Sequence, residues 1–164
     1  MSGDTTSVAE VRPPSGVPAA WLRLLRAHAR LTRRMDANLQ SGHGLTINDY
    51  EVLLALARAD DRKMRRVDLA GHVLLPPSGI TRLLQGLERS GLVERADCPP
   101  DGRVVYAQLT DRGYERVREA SRTHVDDIRS LFATRFSPDE LDALDALLGR
   151  VVGDDDSTAA CAAE

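Results

Sequence analysis

The sequence predicts a mainly α-helical fold with one small β-hairpin. Three patterns indicate it: a helix with one apolar and one polar face over residues 77–89, a hairpin pattern at residues 92–109, and long amphipathic stretches at both ends. The chain has 164 residues, 42% hydrophobic and 29% charged, which suffices for one core and is short for two full domains. We therefore expect one helical domain around the hairpin, extended by terminal helices.

The N-terminal region combines a predicted flexible extension with a long helix. Residues 1–18 are rich in Gly, Pro, Ser and Thr, which favours flexibility. Residues 19–40 then carry an apolar stripe at helical spacing, with five arginines largely off it, and Gly42 and Gly44 are expected to end the helix. The stripe consists of Trp21, Leu24, Leu25, His28, Leu31, Met35 and Leu39. A stripe of this length requires a large covering surface.

Three shorter helices follow. Thr46 and Asp49 have the spacing of a capping box and predict the start of a second helix. A short third helix is expected over about residues 65–73. Pro76 and Pro77 separate it from the helix with the polar face, which predicts helix-turn-helix geometry.

The helix over residues 77–89 has the most informative polar face. Ile80, Leu84 and Leu87 recur on its apolar side. The opposite side carries side chains that can read base edges in a major groove or hold phosphates, namely Ser78, Thr81, Arg82, Gln85 and Arg89. Gly91 is expected to end the helix. We predict that these polar residues contact DNA.

A hairpin directly after this helix predicts a wing. Strand patterns at residues 92–96 and 104–109 flank a turn signal at residues 98–103. A tip that carries Arg103 suits the minor groove beside the recognition helix. We therefore predict that residues 45–109 form a winged helix-turn-helix DNA-binding region.

The C-terminal part predicts two more helices. Thr110 is expected to cap a long helix with an inward stripe, and Ser137, Pro138 and Glu140 form a strong start for the last helix. The inward stripe consists of Val117, Ala120, His124, Val125, Ile128, Leu131 and Phe132. The terminal helices, 19–40 and 110–152, hold more apolar surface than a small core can cover, so we expect them to form a homodimer. Residues 153–164 are expected to be an acidic flexible tail.

Charge is segregated along the chain. The formal net charge is −3, and the isoelectric point near 5.8 argues against a protein that coats nucleic acid without specificity. Residues 21–40 nevertheless carry a net +4 and residues 58–112 a net +2, whereas residues 136–164 carry −7. The predicted DNA-binding segment thus lies in the positive part of the chain.

The order of helices and five short strings resemble the MarR family of transcriptional regulators over about residues 20–150. The strings lie at residues 69–70, 78–82, 87–95, 101–103 and 109–113. The resemblance implies a homodimer that binds pseudo-palindromic operator DNA, with the polar-faced helix in the major groove and Arg103 at the wing tip. Members usually repress genes until a small ligand or an oxidant alters the dimer. Pro76, where a capping Ser or Thr often stands, and Gly86 inside the helix depart from the pattern.

Three residues of the terminal helices are candidates for an effector pocket. Trp21, His28 and His124 lie on stripes expected to meet near the dimer interface, where they would suit an aromatic or carboxylate-bearing molecule. The alternative is that they are packed core groups. The four histidines and two cysteines show no spacing typical of metal ligands, so neither a metal nor a cofactor is expected.

The sequence leaves two alternatives to a DNA-binding regulator and argues against an enzyme. The sequence contains no GxSxG, HExxH or phosphate-binding glycine motif, so an enzyme is not expected. A winged helix used only for protein contact, or a redox-sensing regulator acting through Cys98, remain alternatives. No signal peptide or apolar run long enough for a membrane is found, so we expect a cytoplasmic protein.

Overall fold

The computed structural model describes residues 15–73, 77–97 and 105–153. In chain order its elements are α1 (Val17–His43), α2 (Ile47–Arg58), a 3-10 turn (Asp60–Arg62), β1 (Lys63–Arg65), α3 (Arg66–His72), α4 (Pro77–Arg89), β2 (Val93–Asp97), β3 (Val105–Leu109), α5 (Asp111–Ala133) and α6 (Pro138–Val152). The fold is mainly helical with a small antiparallel sheet, as predicted. None of the helices described is both long and apolar enough to span a membrane.

The helices begin where the sequence signals place them. The Thr46 hydroxyl accepts a hydrogen bond from the backbone of Asp49, whose carboxylate accepts one from the backbone of Thr46, and the same box starts α6 at Ser137. The Thr110 hydroxyl accepts from the backbone N–H of Gly113 and caps α5. The end of α1 differs from expectation in part. Gly44 terminates it with a φ of 65°, whereas Gly42 lies inside the helix.

The sheet contains a strand that the sequence did not predict. Its order is β1-β3-β2, with both pairs antiparallel, so β3 lies in the centre and Ala107 faces both Met64 and Arg95 in the register. Three residues are too few to show the alternation that identifies a strand from sequence. The Lys63 ammonium lies 4.7 Å from the ring centroid of Tyr106 on β3, which helps to hold β1 in place.

The core lies between α2, α3, α4, α5 and the sheet. Its fully buried side chains include Val52, Leu53, Leu56, Leu69, Leu84 and Val93. On α5 the predicted inward residues Val117, Ala120, His124 and Leu131 are buried, and Val125, Ile128 and Phe132 are half-buried. One core therefore holds the helix-turn-helix and the base of the wing together.

The start of α5 packs against the backbone at the base of the wing. The Thr110 hydroxyl donates to the carbonyl oxygen of Gly91, and the Thr110 N–H donates to that of Leu92. A β-carbon at Gly113 would lie 2.0 Å from the carbonyl oxygen of Leu92 and 2.7 Å from Cδ1 of Leu109. Position 113 therefore has room for glycine alone.

The terminal helices leave apolar side chains uncovered. Within the described residues, α1 buries Met35 and Leu39 near its end, whereas its first half and much of α6 are exposed. The exposed set includes Val17, Trp21, Leu24, Leu25, Leu147, Leu148, Val151 and Val152. Helix α6 also makes few contacts with the other described elements. The apolar surface predicted to pair with a second copy is thus present and unburied in a single chain.

Candidate nucleic-acid interface

The polar residues singled out on α4 share one exposed face. Ser78, Thr81, Arg82, Gln85 and Arg89 are all exposed. Ile80, Leu84 and Leu87 are buried on the opposite side. Because an α-helix turns about 100° per residue, the five polar positions fall within an arc of about 100°. The structure therefore brings these predicted residues together on one surface.

Backbone hydrogen bonds fix the end of α4 relative to the start of the wing. The N–H of Leu92 donates to the carbonyl of Leu87 at 3.0 Å, and the N–H of Gly91 donates to that of Glu88 at 3.0 Å. Gly91 has a φ of 70°, so these bonds form the Schellman arrangement that ends a helix at a left-handed glycine. The prediction that Gly91 stops the helix is confirmed.

An ion pair connects α4 to α3. The Arg66 guanidinium donates to the carboxylate of Glu88, and the two side chains are only 23% and 27% exposed. The Nε of Arg66 is buried and has no hydrogen-bond partner among the residues described. Neither residue was predicted from the sequence to have a role. A signal in the sequence could have indicated the pair. Arg66 is a cation at the start of α3 and Glu88 an anion in the last turn of α4, and each charge is unfavourable in the dipole of its own helix.

The wing is described up to its tip. Strands β2 and β3 form its stem, whereas Cys98 and Arg103 lie outside the described residues. At the other edge of the sheet, the Arg62 guanidinium lies 3.8 Å from the ring centroid of Tyr114 and donates to Asp111 at 3.1 Å. These contacts attach β1 to the first turn of α5, so the sheet and α5 are tied together.

The three candidate effector residues lie apart within one chain. Trp21 is 60% exposed and His28 is exposed, whereas His124 is buried with its ring 4.8 Å from that of Tyr50. Contacts of Asn38 with Asp127 and of His43 with Thr123 show that α1 and α5 run antiparallel. In that register His28 lies about 20 Å along α1 from the level of His124. The inward placement expected for His28 is not found, because its stripe is uncovered in a single chain.

A cleft lies where α1, α2, α4 and α5 approach one another. Its volume is about 330 Å³. Its polar lining includes His43, Asp49, Ser90, Arg112 and Arg116. Arg116 donates to the carbonyl oxygen of His43 at 3.0 Å. The described residues contain no group of three or more metal-ligating side chains. The lining thus combines two guanidinium groups, Arg112 and Arg116, with the carboxylate of Asp49.

The buried His124 makes the stability of the fold depend on pH. Burial lowers the pKa of His124 below its ordinary value of 6.5, an effect that the carboxylate of Asp127 opposes only in part. Its Nδ1 has no hydrogen-bond partner within the described ranges. The folded chain therefore holds His124 neutral at a pH where the unfolded chain already binds a proton. Stability contributed by this group is present above pH 6.5 and is lost as the pH falls below it.

We accordingly expect the stability of the wild type, relative to His124→Gln, to decrease between about pH 7 and about pH 5. Glutamine does not titrate, and the other histidines are common to both proteins, so the difference between the two curves isolates His124. The measurement is the urea midpoint of each protein across this range. Parallel pH profiles would contradict the assignment.

Comparison with known proteins agrees with this geometry. A model described as MarR family matches residues 43–104. The chain is 32% identical to AbsC, a MarR family transcriptional regulator from Streptomyces coelicolor, with a TM-score of 0.75 and coverage of 86% of this chain and 95% of AbsC. It is 29% identical to Sco3205 from the same organism, a MarR family regulator solved in complex with DNA, with a TM-score of 0.76 and coverage of 87% and 91%. It is also 26% identical to the HTH-type transcriptional repressor YetL of Bacillus subtilis, with 82% of each chain covered.

Proposed function

The chain belongs to the MarR family of transcriptional regulators, and we propose that it acts as a homodimer that places one α4 from each protomer in the major groove of operator DNA. The observation that carries this proposal is the exposed face of Ser78, Thr81, Arg82, Gln85 and Arg89, backed by a buried apolar side. A similar regulator, Sco3205, was solved with DNA. Arg103, at the predicted wing tip, would add a contact in the minor groove. Action by binding requires no catalytic step.

The test begins by finding the DNA sequence. Chromosomal fragments retained by the purified protein would be sequenced, and the enriched site would be titrated at several salt concentrations. We expect a pseudo-palindrome and an affinity that falls steeply with salt, because phosphate contacts release counterions. A winged helix used only for protein contact would enrich no sequence and show no salt-dependent DNA binding.

A homodimer is supported by the uncovered apolar faces of α1 and α6. Burial of such faces against a second copy removes apolar surface from water and doubles the contact with DNA. Two copies of α4 would then read half-sites about one DNA turn, or a small multiple of it, apart. Light scattering should report twice the chain mass of 17.9 kDa.

We expect the double change Leu147→Asp with Val151→Asp to convert the dimer to a monomer. Both side chains are exposed in one chain, so the change leaves the core of the protomer intact and places two charges in the proposed interface. Sizing with light scattering measures the mass, and circular dichroism checks that helix content is kept. Val67→Asp, at an exposed position on α3, is the matched control and should stay dimeric. An unchanged mass for the α6 variant would exclude α6 from the interface.

We further propose that the protein is a repressor released by a small effector that carries a carboxylate or an aromatic ring. The relative YetL is named as a repressor. The cleft with Arg112 and Arg116 supports the effector, since a ligand between the end of α4 and the start of α5 would change their relative position. Trp21, His28 and His124 remain the alternative location, completed by the partner protomer.

A thermal-shift screen of aromatic acids, followed by operator titration with each hit, tests this proposal. A true effector raises the melting temperature and weakens DNA binding. Loss of its action in Arg116→Gln would place it in the cleft, and loss in Trp21→Ala would place it at the helix stripe. Release by peroxide in the wild type but not in Cys98→Ser, with no active small molecule, would instead establish the redox alternative.

A further inference from the structure

We propose that the ion pair between Arg66 and Glu88 positions the recognition helix, and that sequence discrimination on DNA depends on it. The inference rests on the proposed function, in which α4 reads the major groove. It concerns two residues that lie outside the polar reading face. Arg66 is the first residue of α3 and Glu88 lies in the last turn of α4.

The pair is the one ion pair among the described residues that joins the two helices of the helix-turn-helix. The other described pairs lie within a single helix or at its edge, or attach the 3-10 turn to α5. About three quarters of each side chain of the Arg66–Glu88 pair is buried. Partial burial excludes much of the water that screens an exposed pair, so the contact constrains geometry more than a surface pair does.

Neither charge suits its own helix. The N-terminus of a helix carries partial positive charge and the C-terminus partial negative charge. Arg66 therefore opposes the dipole of α3 and Glu88 opposes the dipole of α4. Nη2 of Arg66 donates to the Glu88 carboxylate, and Nε has no hydrogen-bond partner in the described part of the chain, so Glu88 is the group that compensates this cation. Each charge is therefore stabilised by the oppositely charged side chain on the other helix, and not by its own helix.

Glu88 also lies at the edge of the reading face. It follows Leu84 by one turn and Thr81 by two, so it falls between the buried side and the exposed polar side of α4. An unpaired carboxylate at this edge would repel phosphates, and an unpaired Arg66 would attract them regardless of sequence. The pair therefore both fixes the angle of α4 on α3 and keeps a neutral border beside the reading face.

Two neutralising variants separate positioning from simple charge. Glu88→Gln leaves Arg66 unpaired, so affinity for any DNA should rise and the salt slope should steepen by about 1. Arg66→Gln leaves Glu88 unpaired, so affinity for any DNA should fall, because the free carboxylate repels phosphates. In both, the ratio of operator affinity to shuffled-DNA affinity should fall about tenfold, the equivalent of one weakened base contact.

The charge swap Arg66→Glu with Glu88→Arg tests the pair directly. It keeps the net charge, restores an attractive pair and places each charge in accord with its helix dipole. We expect the affinity ratio to return to within about threefold of the wild type. The matched control is the swap Glu115→Arg with Arg118→Glu on α5, a pair whose side chains are 53% and 51% exposed, and it should leave the ratio unchanged.

The outcomes are distinct. Lower melting temperatures with an unchanged affinity ratio in both neutralising variants would reduce the pair to a structural contact and overturn the proposal. A reduced ratio that the swap does not restore would assign the effect to the separate side chains, which also overturns it. A wild type without sequence preference would refute the proposed function itself, whereas a wild type with preference and variants that match it would refute only this inference.

Discussion

Gly113→Ala is expected to destabilise the fold by at least about 3 kcal/mol, the upper end of the usual cost of overpacking. The added β-carbon would lie 2.0 Å from the carbonyl oxygen of Leu92, which is backbone and cannot rotate away as a side chain does. The first turn of α5 must then separate from the base of the wing. The melting temperature and the yield of soluble protein measure the effect.

Gly86→Ala is the matched control. A β-carbon at Gly86 meets no atom within 4 Å, although this glycine also lies in a helix. Alanine there should stabilise α4 by up to about 1 kcal/mol through helix propensity. Equal effects of the two substitutions, in sign and size, would show that the close approach at Gly113 does not exist in solution.

Arg82→Ala should cost about 1 to 3 kcal/mol of operator affinity, concentrated at one base position, if its guanidinium binds a guanine edge. Arg82 is exposed on the polar face of α4. Titration against an operator and its single-base variants measures both the loss and its distribution. If Arg82 contacts a base, the affinity of Arg82→Ala no longer depends on which base stands at that operator position. If Arg82 contacts a phosphate, its loss lowers the affinity for all sequences alike.

Arg58→Ala provides the comparison for a general charge effect. Arg58 is an exposed arginine at the end of α2 and lies off the polar face. Its removal should leave the base preferences unchanged. Equal, uniform losses for the two variants would refute a base contact by Arg82.

Local signals predicted the fold, and contacts between distant residues escaped prediction. Helix starts are recognisable at Thr46, Thr110 and Ser137, because each N-cap hydrogen bond joins residues only three positions apart. Strand β1 was missed since its pairing with β3 joins segments more than 40 residues apart and leaves no periodic pattern in three residues. The Arg66–Glu88 pair joins positions 22 apart and was missed for the same reason.

The apolar stripe of α1 shows what hydrophobic periodicity alone does not predict. The stripe through Trp21 and His28 correctly indicated a surface that needs covering, but periodicity does not tell whether the cover comes from the same chain or from another. In the structure it does not come from the same chain. The exposed polar face of α4 was predictable, because its buried and exposed sides both belong to one helix. Its contact with DNA stays a prediction.

The meeting point at Leu92 has an evolutionary consequence. Its N–H closes the end of α4, its carbonyl accepts from Thr110, and Gly113 packs against it, so reading helix, wing and α5 converge on one backbone segment. Leu92 is buried, whereas the five polar side chains of α4 are exposed. The proposed DNA contacts of α4 and the backbone junction that joins α4 to α5 therefore involve separate residues. Gene duplicates of such a protein can change the exposed side chains of α4, and with them the bases recognised, while the junction at Leu92 stays the same.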